Sequence, residues 1–432
     1  MSREHVGVAV IGGGQAGLSM SWYLRRSGTD HVVFERDRVG HEWRDRRWDS
    51  FCLVTPNWQC RLPGYSYTGD DPDGFMAGAE VVTFLEKYAA GFDPPLREGV
   101  EVSRLRRTGN AFELLTGDGL VTADQVVIAT GGYHRPAMPR LAEKFPQRVV
   151  QVHSSQYRNA GSLPDGDVLV VGTGQSGCQI AEDLHLAGRR VHLAVGSAPR
   201  AARRYRGRDT LAWLEEMGHY DKSVHEFGDA DEVRLRANHY MTGRGGGRDI
   251  DLRLFATQGM QLYGRLRNVD GVTATFGDDL ARNLDNADAV AEGIKNAIDT
   301  YIERAGIVAP PEKRYEPVWT PGVPTTGLPI ENISAVVWAT GFHRDHRWIE
   351  VPVFDGRGYP THDRGVTSCP GLYFLGLPWQ HTWGSGRFAG VARDAEHLAA
   401  QLSRARRRQV TEGVSWLAGT PTETYPDLEW AA

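Results

Sequence analysis

Two short glycine-rich segments have the residue types and spacing that let a protein backbone hold a dinucleotide. The first reads Gly-Gly-Gly-Gln-Ala-Gly at residues 12–17, and the second reads Gly-Thr-Gly-Gln-Ser-Gly at residues 172–177. In such a segment the first glycine permits a tight turn, the second lets the backbone approach a pyrophosphate, and the third lets a helix pack closely on a strand. We therefore predict two dinucleotide sites, with contacts from Gly12, Gly14, Gln15, Ala16 and Gly17 at the first and from Gly172, Gly174, Gln175 and Ser176 at the second.

The residues that follow each segment distinguish the two ligands. Glu35 stands about twenty residues beyond the first glycines, where a carboxylate binds both ribose hydroxyls and disfavours a 2′-phosphate. The first site therefore suits FAD or NAD better than NADPH. Ser197 follows the corresponding strand of the second site, with Arg200 and Arg203 close behind, and these groups suit the 2′-phosphate of NADPH. The alternative is that the arginines only coat a solvent-facing loop.

The surrounding sequence supplies the elements that would position these sites. Apolar strands are predicted at 6–11 and 167–171, each followed by a glycine segment and a helix. Residues 126–131 and 336–341 are two copies of an apolar strand that ends in Ala-Thr-Gly, and we interpret them as the places where the chain leaves and rejoins the first unit. Two coincidental strand ends are the alternative. The sequence thus predicts an α/β fold with two Rossmann-like domains: a discontinuous FAD-binding domain at 1–150 and 330–412, an inserted NADPH-binding domain at 160–329, and a tail at 413–432.

A chain with two dinucleotide sites is explained most simply by electron transfer from a nicotinamide to a flavin. The glycine-rich loop 378–386, which includes Gln380, precedes a predicted helix at 388–402 and could offer N–H groups to a reduced flavin; a plain surface loop is the alternative. Residues 200–315 form an arginine-rich insertion with a predicted helix at 285–305. Its loop 243–247 is a substrate lid or a structural insertion, and we favour the latter.

Composition excludes several other classes of protein. The 432 residues are 41% hydrophobic and carry a net charge of -5, so they can fill sizeable cores but form no basic stripe for nucleic acid. No segment is long and apolar enough for a membrane span or a secretory signal, and the four cysteines form no C-x-x-C pair. We expect a cytoplasmic protein without a metal site. The oligomeric state stays open, a homodimer included.

Several motifs together resemble one family. They are the two glycine segments, the Gly-His-Glu-Trp-Arg run at 40–44, both Ala-Thr-Gly turns, and the His-Ser-Ser-Gln-Tyr run at 153–157. The chain resembles the class B flavin-dependent monooxygenases of the flavin-containing and N-hydroxylating type, which include plant auxin-pathway enzymes and, more distantly, Baeyer–Villiger enzymes. Residues 153–157 match the second half of the family motif F-x-G-x-x-x-H-x-x-x-Y, whereas Gln147 and Val149 replace the Phe and Gly of its first half. Residues 48–51, 55–59 and 153–158 are similar to a bacterial subgroup found beside nitrilase genes.

The resemblance implies a mechanism and a set of residues. NADPH would reduce FAD, the reduced flavin would capture oxygen as a C4a-hydroperoxide, and a small nucleophilic substrate, nitrogen-containing in that subgroup, would take its distal oxygen. Asn57 would donate to the flavin, Trp43 and Trp58 would wall its ring, and His153 would lie beside the nicotinamide. A structural Asn57 and a satisfied interdomain His153 are the alternatives. Further cofactor contacts are predicted at Arg36, Val102, Thr130, Gly131, Gly341 and Gln380.

Three other functions compete with this one. A disulfide reductase would need a close redox cysteine pair, but Cys52 and Cys60 are separated by seven residues. An NADPH oxidase or dehydrogenase that inserts no oxygen would carry the same two sites. A flavin-binding redox sensor without enzymatic activity would not need the second site.

Overall fold

The first unit is built on a parallel sheet whose strands are buried on both faces. In this computed structural model, which describes residues 4–417, the spatial order of its parallel strands is Leu96–Arg97, His31–Phe34, Glu4–Ile11, Gly119–Ile128 and Leu372–Phe374. Apolar runs such as His-Val-Val-Phe form these strands because β-branched and aromatic side chains suit a sheet that is covered on both sides. One face packs against the helices Gln15–Arg26, Gly78–Phe92 and Val391–Leu417.

Antiparallel strands extend this sheet at one side. The strands Val102–Thr108 and Ala111–Thr116 lead into Gly119–Ile128 as a meander, and Ile349–Glu350 pairs with Val102–Thr108. Smaller elements complete the unit: the helix His41–Arg44, the hairpin of Arg61–Leu62 with Tyr65–Ser66, and the hairpin of His362–Asp363 with Val366–Thr367.

The second unit has its own parallel sheet of five strands. Their spatial order is Val150–His153, Ile333–Trp338, Asp167–Val171, Val191–Ala194 and Gln261–Tyr263. The helices Gln175–Leu186 and Leu280–Ala305 cover one face, and a three-stranded antiparallel sheet of Leu266–Val269, Thr273–Phe276 and Gly327–Pro329 covers the other. The chain thus has the α/β fold with two dinucleotide-binding units that the sequence predicts.

The two strands that begin near the predicted boundaries at 150 and 330 both belong to the second unit. Both Val150–His153 and Ile333–Trp338 pair within the second sheet, because their apolar side chains complete its core beside Asp167–Val171. The chain therefore returns to the first unit after the second Ala-Thr-Gly turn. At the crossing, Arg135–Pro136 and Phe342–His343 pair as a short antiparallel ribbon.

The insertion consists of short elements. It contains the hairpin of Arg204–Tyr205 with Arg208–Asp209 and the helices Thr210–Glu216, Ala230–Leu235 and Leu252–Thr257. Within residues 4–417 the 3-10 helices are Asn57–Gln59, Arg140–Lys144, Ala160–Ser162, Val224–Phe227, Arg244–Gly246 and Ile330–Asn332.

Two predicted helices have different bounds in the structure. The helix predicted at 285–305 begins at Leu280, because Leu280 and Leu284 continue its buried stripe, and it ends before Gly306 in the left-handed conformation. The last helix runs from Val391 to Leu417 and so passes the boundary predicted at 412. Residues 418–432 of the predicted tail lie outside the described residues. Among the described helices, none combines the length and apolar character needed to cross a bilayer.

Candidate dinucleotide and flavin site

The first glycine segment forms an open cradle at the start of a helix. A Cβ atom on Gly12, whose φ is +110°, would meet the Ala129 carbonyl oxygen at 2.5 Å, and a Cβ on Gly17 would meet the Gly12 carbonyl oxygen at 1.8 Å. Glycine is therefore required at both positions. Gly14 differs, because a Cβ there would meet nothing within 4 Å, and no side chain caps the helix N-terminus. The free N–H groups of the helix thus face open space that an anionic group can fill.

Glu35 lies directly beside this cradle. Its Oε2 accepts a hydrogen bond from the Gly13 amide at 2.6 Å, and its Oε1 accepts one from the Asp37 amide at 3.0 Å. Each carboxylate oxygen has a further lone pair. The structure therefore brings together the predicted glycines and the predicted acid, with acceptor capacity left for ribose hydroxyls.

The glycine-rich loop before the last helix contacts the same cradle. Gln15 donates from Nε2 to the Gly386 carbonyl oxygen at 3.1 Å, and a Cβ on Gly376 would meet the Ala16 Cβ at 2.7 Å. Gln380 is buried, and its Nε2 has no hydrogen-bond partner among the described groups. The close approach of 376–386 to the first glycine segment agrees with the predicted contribution of this loop to one site.

The second glycine segment repeats the first almost atom for atom. A Cβ on Gly172 would meet the Ala339 carbonyl oxygen at 2.6 Å, and one on Gly177 would meet the Gly172 carbonyl oxygen at 1.9 Å. Gly174 again has open space, and no side chain caps the helix that starts at Gln175. The Gln175 side chain donates to the Met241 carbonyl oxygen, which brings the insertion against this helix N-terminus.

The arginines predicted for the 2′-phosphate bind internal carboxylates instead of facing an open site. Arg200 pairs with Asp288 at 2.6 Å and lies 3.9 Å over the Tyr315 ring. Arg203, only 1% exposed, donates from Nη2 to Asp209 at 2.6 Å. Both guanidinium groups stabilise the insertion. Of the three residues predicted for this phosphate, Ser197 is the exposed one.

The Asn57 side chain is hydrogen-bonded within the protein, and Trp58 lines a cavity. The Asn57 side chain donates from Nδ2 to the Asp71 carbonyl oxygen and accepts from the Met76 amide, both at 2.9 Å. These bonds hold the loop 71–76, in agreement with the structural alternative for this residue. Trp58 lines a cavity of about 610 Å³ between the first unit and the insertion, where Arg204 and Glu215 also lie.

His153 is a fully buried histidine at the crossing between the units. Its Nε2 lies 2.9 Å from the Gly341 carbonyl oxygen, and its Nδ1 accepts from the Ser155 amide at 3.2 Å. This pattern fixes the neutral tautomer with the proton on Nε2. Burial lowers the pKa of His153, although its bond to Gly341 opposes that change. The geometry matches the satisfied interdomain histidine.

The remaining predicted contacts are spread around the first cradle and beyond it. Thr130 and Gly131 both contact the His134 imidazole, at 3.3 Å and 3.1 Å, directly after the strand that touches Gly12. Trp43 packs its ring against Phe388 with 6.0 Å between centroids. Arg36 lies on the surface and pairs with Asp37, whereas Val102 is buried in the core.

A buried carboxylate that the sequence analysis missed joins the two units. Asp183, on the helix Gln175–Leu186, accepts hydrogen bonds from Ser50 Oγ at 2.6 Å, Tyr157 Oη at 2.7 Å and Arg244 Nη1 at 2.9 Å. Ser50 belongs to the first unit and Arg244 to the insertion. The helical pattern marks Asp183 only as a polar position, so no local signal could have identified this junction.

Cys52, Cys60 and Cys178 lie in surroundings that do not activate a thiol, whereas Cys369 accepts a hydrogen bond from Arg107 Nη1 at 3.0 Å. All four are free, and burial raises the pKa of Cys60 to about 12 and that of Cys178 well above its ordinary value. Burial also raises the pKa of Cys52, against smaller opposing contributions from nearby arginines and a backbone contact. A nucleophilic thiol needs a lowered pKa. Cys52 and Cys60, the two cysteines considered for a disulfide reductase, therefore lack the environment of a reactive thiol.

Comparisons with known proteins agree with this geometry. Residues 9–217 match the family model described as pyridine nucleotide-disulphide oxidoreductase. The chain is 33% identical over 397 residues to an uncharacterized CzcO-like oxidoreductase of Geobacillus kaustophilus, which covers 91% of this chain and 97% of that protein. It is 29% identical over 194 residues to the probable indole-3-pyruvate monooxygenase YUCCA4 of Arabidopsis thaliana, which covers 44% of this chain and 46% of that protein. A flavin-containing monooxygenase from Stenotrophomonas maltophilia superimposes with a TM-score of 0.65 at 21% identity, covering 93% of this chain and 99% of that one.

The two glycine cradles, the inserted second unit and these matches define an oxidoreductase with two dinucleotide-binding units. Its relationship to class B flavin-dependent monooxygenases, first indicated by the sequence motifs, is confirmed. Within this class the chain belongs to the same family as the CzcO-like oxidoreductases.

Proposed function

We propose that this protein is an NADPH-dependent monooxygenase that inserts one atom of molecular oxygen into a small nucleophilic, nitrogen-containing substrate. The observation that carries the proposal is the pair of matched cradles, in which Gly14 and Gly174 each leave an uncapped helix N-terminus open to a phosphate. One chain that holds two dinucleotides can pass a hydride from a nicotinamide to a flavin.

The residues present fit these cofactors in separate roles. Gly12, Gly14 and Gly17 would hold the pyrophosphate of FAD, and Glu35 would hold its ribose. Gly174 and the following helix would hold the NADPH pyrophosphate, with Ser197 next to the adenosine ribose. When bound, FAD accepts a hydride from NADPH and delivers the electrons to oxygen. The chain's task is to bind both molecules and keep water away from the reduced ring.

Aromatic side chains supply the apolar wall that this task requires. Trp43 packs on Phe51 and Phe388, with ring centroids 5.8 Å and 6.0 Å apart. Phe388 precedes the last helix and contacts Phe84 in the core. We assign this cluster to the exclusion of water at the flavin. A water molecule placed among apolar rings would lose hydrogen bonds that it makes in bulk solvent.

The preference for a nitrogen-containing substrate rests on the resemblance of residues 48–51 and 55–59 to the subgroup found beside nitrilase genes. These residues lie where the first unit meets the second unit and its insertion: Ser50 binds Asp183 of the second unit, and the Val54 carbonyl oxygen accepts from Arg203 of the insertion at 2.8 Å. A substrate that reaches the flavin from this side would contact both parts of the chain.

The proposal is tested with the FAD-loaded protein in two stages. It is first mixed anaerobically with NADPH or NADH while the flavin absorbance is followed, and we expect faster reduction by NADPH. ¹⁸O-labelled oxygen is then admitted with a panel of primary amines, hydroxylamines and thioethers, and NADPH consumption, hydrogen peroxide and labelled product are measured. We expect ¹⁸O in a nitrogen-oxidised product and less peroxide than NADPH consumed.

Two results would contradict the proposal. If every panel compound leaves peroxide equal to the NADPH consumed, the protein is an oxidase. If neither nucleotide reduces the flavin, the electron-transfer function fails as a whole. Label in thioether products alone would overturn only the nitrogen preference.

A further inference from the structure

Two arginines of the first unit lack the acidic partner that neighbouring arginines have. Arg47 donates from Nη1 only to the Arg46 carbonyl oxygen at 2.8 Å, and Arg387 donates from Nη2 to Asn238 Oδ1 at 2.6 Å. In the part of the chain that the structure describes, neither pairs with a carboxylate. By contrast, Arg44 and Arg46 bind Glu86 and Glu42.

Aromatic rings surround both guanidinium groups. The Arg47 guanidinium lies 5.1 Å from the Trp43 ring centroid, 5.6 Å from that of Phe51 and 5.9 Å from that of Tyr133. The Arg387 guanidinium lies 3.4 Å over the Trp383 ring. Stacking of this kind orients the planar guanidinium but provides no counter-charge.

Both side chains are half-buried, and partial burial makes the missing counter-charge costly. It lowers the pKa of Arg47, and it lowers the pKa of Arg387 to about 10. Tyr133 lies within electrostatic reach of both groups and partly offsets each change, together with the more distant Glu42 carboxylate at Arg47 and with Tyr220 at Arg387. A desolvated cation without a carboxylate partner is unfavourable unless a ligand neutralises it.

The two arginines also lie beside the aromatic cluster of Trp43, Phe51 and Phe388. Arg47 stacks on Trp43, and Arg387 immediately precedes Phe388, whose ring packs on Trp43. Tyr133 follows the first Ala-Thr-Gly turn and packs on Phe342, 5.0 Å away, at the crossing between units. The Arg47 charge therefore lies beside the aromatic cluster that we assign to the flavin and, through Tyr133, near the crossing between the units.

We propose that Arg47 and Arg387 form an anion site that takes a carboxylate or phosphate group of a molecule bound between the two units. A planar guanidinium binds either group through two parallel hydrogen bonds. The anion has two possible sources: a phosphate of NADPH, or a carboxylate on the substrate. The second source rests on the proposed function and would make the substrate an amino acid or a related amine with a carboxylate.

The test measures binding to the FAD-loaded protein and needs no turnover. The variants are R47M and R387M, with R47K and R387K to keep the charge while removing the fork. The control is R26M, because Arg26 also stacks on a tryptophan, Trp22 at 4.8 Å, but lies on the exposed surface of the first helix. NADP⁺ affinity is measured by calorimetry, and acetate affinity is measured from the change in the flavin spectrum.

We expect R47M and R387M to weaken the binding of one probe by about tenfold or more, as the loss of a charge-assisted hydrogen bond requires, while R26M binds both normally. A loss confined to NADP⁺ identifies a cofactor phosphate, and a loss confined to acetate identifies a substrate carboxylate. If a methionine variant does not fold, its lysine variant is measured instead, and the same weakening is expected. Unchanged affinity for both probes in folded variants overturns the anion site and leaves the proposed monooxygenase function intact.

Discussion

The two cradles predict that one methyl group at Gly14 weakens FAD binding, whereas the same change at Gly174 weakens NADPH binding. Each glycine has dihedral angles that alanine adopts readily, with φ of -77° at Gly14 and -63° at Gly174. The added Cβ would meet no protein atom within 4 Å at either position. G14A and G174A should therefore fold normally, and each methyl group should project into the space that a pyrophosphate needs.

The size of the effect follows from the bonds that would be lost. A pyrophosphate at a helix N-terminus accepts charge-assisted hydrogen bonds from backbone amides, worth about 1.5–3 kcal/mol each. Displacing one of them should weaken binding by about 10-fold to 150-fold. The free energy of unfolding of the ligand-free protein should stay the same or rise by about 0.4–1 kcal/mol, because alanine restricts the unfolded chain.

Flavin retention and calorimetry separate the two effects. FAD affinity is measured by flavin fluorescence on the apoprotein, and NADP⁺ affinity is measured by calorimetry on the FAD-loaded protein. G14A should lose affinity for FAD, and G174A should lose affinity for NADP⁺ while its flavin stays bound. Chemical denaturation of the apoproteins should give the wild-type midpoint or a higher one.

The third glycine of each segment, Gly17 or Gly177, provides the contrasting variant. In G17A and G177A the added Cβ would lie 1.8 Å and 1.9 Å from the carbonyl oxygens of Gly12 and Gly172, so both variants should lose stability even without ligand. The reasoning would be refuted if G14A bound FAD as tightly as the wild type. It would also be refuted if G14A and G17A destabilised the apoprotein equally.

Three further outcomes are expected. Asp183→Asn should lower the free energy of unfolding by about 2–4 kcal/mol in urea denaturation, because it weakens three hydrogen bonds to one buried carboxylate. The control Asp231→Asn, at an exposed ion pair, should lower it by less than about 0.5 kcal/mol. Equal effects of the two variants would contradict a stabilising role of Asp183 between the units. A thiol reagent at neutral pH should leave Cys60 and Cys178 unlabelled in the folded protein and label them after denaturation, since burial raises the pKa of both thiols. Rapid labelling of either cysteine in the folded protein would restore the disulfide reductase alternative. Burial lowers the pKa of His346 from 6.5 to about 4, so between these pH values the folded state binds fewer protons than the unfolded state. The free energy of unfolding should therefore fall by up to about 3 kcal/mol as the pH drops through this range. His346→Phe should flatten this part of the profile, and an unchanged slope would show that His346 does not cause it.

The parts of the site that the sequence revealed depend on local geometry. Gly12, Gly14 and Gly17 are recognisable because the strand, turn and helix they join are contiguous, and Glu35 is recognisable because one helix separates it from them. The helix Leu280–Ala305 was also predictable in its body, since its buried residues recur at helical spacing. Such patterns require no knowledge of distant residues.

The remaining parts depend on contacts between distant residues. Arg200 binds Asp288, and a sequence window around the arginine cannot show this carboxylate. Asn57 bonds to Asp71 and to the Met76 amide, so its role is decided by where a later loop folds back. Sequence reasoning identified residue types suited to a ligand, whereas the structure shows which of their polar groups already have partners.

The short ribbon of Arg135–Pro136 with Phe342–His343 brings the outgoing and returning strands of the chain side by side. Both ends of the inserted unit therefore leave the first unit at one place, as in a protein that accepts a guest domain within a surface loop. A rotation of the guest unit about this place would have to break the bonds that join the units elsewhere, such as those of Asp183 with Ser50 and of Arg203 with the Val54 carbonyl oxygen.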